Sequence, residues 1–150
     1  MAAQRLDGRL CATEVETELE ARVSHLTEQG VLPHLSVIIV GEDPASHVYV
    51  NSKVKTCARL GIRSTHIPLP ASTEEAVLRQ HIEELNRRDD VHGILVQSPL
   101  PPHMDEEAIT DLIEPAKDVD GFHPENLEFV VFTENTTPSL GEQFCFDSLG

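Results

Sequence analysis

The sequence is poor in basic residues, and this scarcity limits the partners that the chain can have. Its 150 residues include 11 Lys and Arg against 26 Asp and Glu, which gives a formal net charge of -15 at pH 7. A field of that sign repels nucleic-acid backbones and anionic lipid surfaces, so we expect neither nucleic acid nor a membrane as a partner. The only lysines, Lys53, Lys55 and Lys117, are therefore informative, because an anionic small molecule needs local positive charge to bind.

Paired cysteines, long apolar runs and metal-binding patterns are also lacking. The cysteines Cys11, Cys57 and Cys145 are odd in number and far apart, and neither a disulfide framework nor a zinc site is indicated. No apolar run approaches the roughly 20 residues of a membrane span, and the first ten residues lack the apolar segment of a secretory signal. The histidines share no ligand spacing, so no metal is expected. We expect a soluble protein of a reducing compartment, either cytoplasm or mitochondrial matrix.

Short apolar runs that alternate with helical patterns indicate the fold class. The runs "LSVIIV", "IRSTHI" and "GILVQ", at residues 35–40, 62–67 and 93–97, are typical of strands, and the apolar spacing over residues 10–29 predicts a first helix. The resulting order, αβαβαβ, favours an α/β layered domain with a mostly parallel sheet flanked by helices. Ligands of such sheets gather beyond the carboxyl ends of the strands.

The helix between the first two strands carries the most informative residues. We predict Ser46 as its N-cap and a core stripe that ends at Ala58. Tyr49, Lys53 and Thr56 occupy the neighbouring face, where we expect them to border a cavity beside the sheet.

The rest of the chain contains two further predicted helices and, after residue 126, a segment without a clear periodic pattern. Ser72 and Glu75 form a predicted capping box ahead of one helix, and residues 105–113 form a last short helix. After residue 126 one strand-like run, "LEFVVF", is followed by turn residues without a clear period. We assign residues 1–126 to one domain and residues 127–150 to a divergent tail.

Each candidate functional stretch has an ordinary structural explanation when it is taken alone. Tyr49 and Lys53, four residues apart, share one helix face, and such pairs mostly serve packing or line the surface. Gln97 lies at the end of a buried strand and fits a satisfied strand-end residue equally well. Asp120 precedes Gly121, which is common in turns.

Taken together, the stretches "PASHVYVNSKVK", "GILVQSPLP" and "PAKDVDGFHPEN" closely resemble the signature blocks of the bifunctional methylenetetrahydrofolate dehydrogenase and methenyltetrahydrofolate cyclohydrolase family. The resemblance covers roughly residues 5–126. It implies an enzyme of one-carbon folate metabolism, which feeds purine biosynthesis. Such an enzyme oxidises the methylene bridge of tetrahydrofolate with NAD or NADP and then adds water to give the 10-formyl compound. The resemblance further implies a homodimer.

The resemblance also implies roles for individual residues. The family's catalytic lysine corresponds to Lys53 and its tyrosine partner to Tyr49. The glutamine that hydrogen-bonds the lysine corresponds to Gln97, and the folate-binding aspartate corresponds to Asp120. The implied substrate-binding residues are Tyr49, Val50, Asn51, Ser52, Lys53, Val96, Gln97, Ser98, Pro99 and Asp120.

The chemistry of these residue types agrees with the implied roles. A lysine has an ordinary pKa near 10.4, so one that exchanges protons during water addition needs burial or a nearby positive charge, such as the cationic methenyl intermediate. A neutral glutamine holds the amine without forming an ion pair that locks it protonated. A carboxylate accepts two parallel hydrogen bonds from the ring N–H and amino group of a pterin.

Two departures from the family keep other functions open. Ser98 stands where most members carry leucine, which removes apolar contact from the folate wall. The chain contains no GxGxxG or comparable loop, so we expect no cofactor-binding site in it and treat the family's C-terminal Rossmann-like NAD(P) domain as absent from this chain. The alternative functions are a folate-binding module or pseudoenzyme, and an interaction fragment without turnover.

Overall fold

Three short parallel strands form the centre of the fold, and helices cover both of their faces. The computed structural model describes residues 7–127. The elements are α1 (Gly8–Glu28), β1 (His34–Val40), α2 (Pro44–Leu60), β2 (Arg63–Leu69), α3 (Glu75–Asn86), β3 (Gly93–Gln97), α4 (Glu106–Thr110) and a 3-10 turn (Pro115–Lys117). The predicted order and α/β class are confirmed, and the last predicted helix is shorter than expected. No helix within residues 7–127 is long and apolar enough to cross a membrane.

Strand β1 lies in the middle of the sheet, whose order is β2-β1-β3. Both neighbours run parallel to β1, and Leu35 lies opposite Ser64 on one side and Gly93 on the other. All seven residues of β1 are buried. This explains why its sequence is a largely apolar run rather than an alternating one.

Alternate side chains of β1 point to two different helical layers. One layer, which we call the α1/α2 face, is a buried cluster comprising Leu19, Val23, Leu35, Val37, Ile39, Val50, Cys57, Leu60, Ile62 and Leu95. The other, the α3/α4 face, comprises Ile38, Val40, Leu78, Ile82, Leu85, Val91, Ile94, Met104, Ile109 and Ile113. The period of two along a strand places consecutive residues on opposite faces.

Two predicted helix caps are wrong. Asp43, not Ser46, is the N-cap of α2, and its carboxylate accepts hydrogen bonds from the Ser46 N–H at 2.8 Å and the Ser46 hydroxyl at 2.9 Å. At α3 the N-cap is Glu74, and no side chain caps it. Ser72 fails to cap because the chain around it closes a turn, in which the Thr73 N–H bonds the Pro70 carbonyl at 2.9 Å.

The predicted core stripe of α2 is correct at its start and wrong at its end. Val50 and Cys57 are buried and Val54 packs against them, whereas Ala58 is exposed. Each helical residue turns about 100° from the last, so the residue after Cys57 already points away from the sheet. The helix ends at Gly61 as expected, with a φ of 78° that favours glycine. Residues 128–150, nearly the whole predicted tail, lie outside the described residues.

Candidate active site

A cavity of about 380 Å³ lies between α1, α2 and the α1/α2 face of the sheet. Its walls are mostly apolar. They are formed by Ala12, Val15, Glu16, Leu19, Leu35, Ser52, Lys53, Thr56, Cys57, Leu60, Ile62, Leu95, Val119 and Asp120. Sequence patterns placed α1 in the fold but did not mark it as a wall of the site, because its apolar stripe looks the same whether it faces a core or a cavity.

Lys53 and Asp120 bring opposite charges to this apolar cavity. Lys53 is half-buried on α2, and Asp120 follows the 3-10 turn. The cavity wall reduces solvation of the Asp120 carboxyl, which raises its pKa; the Lys53 charge lowers that pKa and the nearby Asp118 carboxylate raises it. A ligand that offers N–H donors to Asp120 replaces the lost water and favours the carboxylate form.

The two aspartates of "KDVD" have different tasks. Asp118 is only 4% exposed, and its carboxylate accepts hydrogen bonds from the Gly121 N–H at 3.1 Å, the His123 N–H at 2.8 Å and the Asn126 amide at 3.0 Å. These bonds hold the loop that follows the 3-10 turn. Asp120 lies on the cavity wall, so it is the aspartate placed to meet a ligand.

The three lysines also differ in their contacts and exposure. Lys117 donates to the carbonyls of Leu85, Asn86 and Arg88 at 3.2, 2.7 and 2.8 Å, and it thereby caps the end of α3. Lys55 is exposed. Lys53 is the lysine on the cavity wall.

A bidentate ion pair joins the two helices that border the cavity. Both terminal nitrogens of Arg59 on α2 donate to the Glu16 carboxylate on α1, at 2.7 and 2.6 Å. The Arg59 guanidinium holds the pKa of Glu16 below its ordinary value. No sequence signal pointed to this pair, because 43 residues separate its members.

Gln97 carries a buried acceptor without a partner. Its side-chain Nε2 donates to the Ser98 carbonyl at 2.9 Å, whereas its Oε1 is buried and unbonded. The predicted hydrogen bond to Lys53 is therefore not formed in this structure. An unpaired buried acceptor is costly, so this oxygen is ready to accept from the lysine or from a ligand.

The other predicted binding residues do not gather at the cavity as a group. Ser52 lines it beside Lys53. The side chains of Tyr49, Asn51, Ser98 and Pro99 are exposed outside its walls, Tyr49 to 62%. The Ser98 hydroxyl donates to the Glu106 carboxylate.

Two predicted binding valines are packing residues in this structure. Val50 is 1% exposed and belongs to the α1/α2 cluster. Val96 packs against the α3/α4 cluster, on the side of the sheet away from the cavity. Neither side chain lines the cavity wall.

The described residues do not fit a dinucleotide or a metal. Gly30, Gly41, Gly61 and Gly121 have left-handed φ angles, but they stand apart in separate turns rather than in one glycine-rich phosphate loop. Within residues 7–127 no group of three His, Cys, Asp or Glu is arranged to hold a metal ion.

Comparison with known proteins shows which family the sequence resembles. The family described as tetrahydrofolate dehydrogenase/cyclohydrolase, catalytic domain, matches residues 6–120. The bifunctional protein FolD of Prosthecochloris aestuarii is 55% identical over 123 residues, which are 81% of this chain and 42% of that protein. The bifunctional protein FolD of Halalkalibacterium halodurans is 48% identical over 136 residues, 91% of this chain and 49% of the relative. The chain thus spans less than half the length of these relatives.

Solved structures show the same likeness in three dimensions. The bifunctional FolD enzyme of Campylobacter jejuni superposes with a TM-score of 0.84 at 39% identity, covering 91% of this chain and 49% of that one. The methylenetetrahydrofolate dehydrogenase-cyclohydrolase of Trypanosoma brucei, solved with NADP and an inhibitor, superposes with a TM-score of 0.83 at 36% identity, covering 91% and 47%. Matched over most of its length in both sequence and structure, this chain belongs to the tetrahydrofolate dehydrogenase/cyclohydrolase family.

Proposed function

We propose that this chain supplies the folate-binding, proton-handling part of a bifunctional enzyme of one-carbon folate metabolism. That enzyme oxidises 5,10-methylenetetrahydrofolate to the 5,10-methenyl compound with NAD or NADP, and hydrolyses the methenyl compound to 10-formyltetrahydrofolate. Residues 1–126 form the catalytic domain in this proposal. The Campylobacter jejuni and Trypanosoma brucei proteins named above carry both activities in their names.

The observation that carries the proposal is that Lys53 and Asp120 both border one mostly apolar cavity. The flat faces of a pterin ring suit apolar walls, and the N–H groups on its edge suit a single carboxylate. An amine in the same cavity provides the proton exchange that water addition requires. A packing or surface role does not require either charge to border a cavity.

In the hydrolysis, Lys53 accepts the proton that water releases as its oxygen bonds to the cationic methenyl carbon. The bond from that carbon to N5 then breaks, N5 takes the hydroxyl proton, and Lys53 returns its own proton to the solvent. Gln97 is the proposed partner of the amine, since its Oε1 is a buried acceptor that Lys53 can satisfy once the cavity is occupied. Asp120 holds the pterin edge in the same step. Tyr49, on the exposed surface of α2, is proposed to cover the ligand from outside.

In the oxidation, the nicotinamide cofactor is the acceptor of the hydride. We assign residues 7–127 only the folate side of that step, because their left-handed glycines stand in separate turns rather than in one glycine-rich phosphate loop. The Trypanosoma brucei relative was solved with NADP. Bacterial relatives support the cytoplasm over the mitochondrial matrix as the location, and a homodimer is part of the proposal.

Titration of the purified chain with tetrahydrofolate tests the proposal. We expect measurable binding by calorimetry, and a loss of about tenfold or more in affinity for Asp120→Asn, which keeps the shape but removes the charge. Asp89→Asn is the matched control, because Asp89 is exposed and lies outside the cavity. Equal affinity in the Asp120 variant and the control would remove Asp120 from the site.

A further inference from the structure

Gly93, the first residue of β3, stands where the structure leaves no room for a side chain. Its φ lies outside the left-handed region, so its backbone conformation does not require glycine. A Cβ at this position would lie 2.6 Å from Val119 Cγ1 and 3.3 Å from Leu35 Cδ1. Carbon atoms pack at roughly 3.5 Å or more. The missing side chain therefore lets Val119 approach the strand closely.

Val119 stands between the two aspartates of the loop. On one side of it, Asp118 is buried, pairs with Ile94 of β3 as an isolated bridge and holds the following turn through its carboxylate. On the other side, Asp120 lines the cavity. With Asp118 anchored, the depth at which Val119 packs against Gly93 decides where Asp120 stands.

We propose that Gly93 is a positioning residue for Asp120: by lacking a side chain, it seats Val119 against β3 and so holds the Asp120 carboxyl at the cavity. The inference rests on the proposed function for the identity of the ligand, but the geometry it describes belongs to the chain alone. No pattern in the sequence distinguishes this glycine from one that simply begins a strand.

Alanine at position 93 forces Val119 outward by roughly 1 Å to restore a normal carbon contact. Since Asp118 is held by three hydrogen bonds, the loop passes this displacement on to Asp120. A displacement of about 1 Å at a binding group can cost up to a hundredfold in function. A merely structural glycine would lower stability without moving Asp120.

The titration of Asp120 reports this movement independently of any ligand. The charged groups that face it are Lys53 from α2, Glu16 from α1 across the cavity, and Asp118 in its own loop. Gly93→Ala changes none of these groups. A change in the Asp120 pKa then reflects a change in its own place and solvation.

The experiment is a double-substitution cycle on the 150-residue chain with Gly93→Ala, Val119→Ala and the pair. We expect Gly93→Ala to weaken tetrahydrofolate binding by about tenfold or more and to move the Asp120 pKa, followed by carbon-13 carboxyl NMR, toward its ordinary value. When Val119 is already alanine, adding Gly93→Ala changes the affinity by no more than about twofold, because the clash is gone. Gly8→Ala is the control, since an added Cβ there meets nothing within 4 Å.

The outcomes separate this inference from the proposed function. If the unsubstituted chain binds no tetrahydrofolate, the proposed function fails, and the NMR titration alone decides the role of Gly93. If Gly93→Ala lowers stability but leaves both the Asp120 titration and the affinity unchanged, the glycine is structural and the inference is overturned. If Gly93→Ala does not fold, Val119→Ala is the deciding variant. An Asp120 pKa that stays unchanged when the Val119 side chain is shortened also overturns the inference.

Discussion

The two faces of the sheet use alternate side chains of β1, yet they are filled to different degrees. On the α3/α4 face, Ile38, Leu78 and Ile82 are completely buried. On the α1/α2 face, helices α1 and α2 leave a cavity of about 380 Å³, bordered by Leu19 and by the charged site residues. Close packing stabilises a fold, whereas a ligand needs space. One face therefore serves chiefly stability and the other carries the candidate site.

Replacing Lys53 by methionine tests whether the α1/α2 face carries the catalytic function. Methionine keeps the approximate length of the stem but exchanges no proton, so we expect hydrolysis of methenyltetrahydrofolate to fall by about 100-fold to 10,000-fold. The assay uses residues 1–126 fused to the part of the Prosthecochloris aestuarii relative that this chain does not match. Lys55→Met, on the exposed neighbour, is the control. Near-normal hydrolysis by the Lys53 variant would remove the residue from the mechanism.

Leucine-to-alanine substitutions on the two faces compare how much each face contributes to the free energy of unfolding. Leu78→Ala opens a void in a filled layer and is expected to cost about 4 kcal/mol of the free energy of unfolding. Leu19→Ala enlarges an existing cavity, where the side chain has fewer partners to lose, and is expected to cost about 2 kcal/mol. Urea unfolding measures both. Equal losses would show that the cavity face is packed as tightly as the other.

We expect mild acid to lower the free energy of unfolding through His34, a buried residue of β1. This histidine is buried; its Nδ1 donates to the Asp90 carbonyl at 2.8 Å, so its neutral Nε2 accepts from the Thr65 hydroxyl at 2.8 Å. Burial lowers its pKa below the ordinary value of 6.5, as do the nearby Arg63 and Arg88, while Asp90 opposes the shift. The unfolded chain therefore binds the proton more readily, and stability falls as pH drops below 6.5 through the folded-state pKa.

The carboxylates lose their contribution in a more acidic range. Arg88 lowers the pKa of Asp90 to about 2, so its contribution disappears only as the pH falls below the ordinary value of 3.8. We expect His34→Gln to remove the small decline in unfolding free energy between pH 6.5 and 5, and His66→Gln, on an exposed histidine, to leave it in place. A decline that persists in the His34 variant would assign it to another group.

The site was less predictable than the fold, and its individual residues show why. Lys53 and Thr56 were expected on a cavity beside the sheet, and both line it. Tyr49 shares their helix but is exposed outside the cavity. The resemblance to the family picked Asp120 rather than Asp118. The hydrogen bonds that distinguish the two aspartates join the Asp118 carboxylate to Gly121, His123 and Asn126.

The sequence by itself determined the order and type of the elements, the parallel sheet and the family. These follow from local signals: apolar periodicity sets helix or strand, and Gly61 ends its helix through its own backbone. The tertiary structure decided the cavity, the Glu16–Arg59 pair that joins its helices and the seat of Val119 on Gly93. Each depends on contacts between side chains far apart in the chain, and packing geometry of that kind is set only once the helices have docked on the sheet.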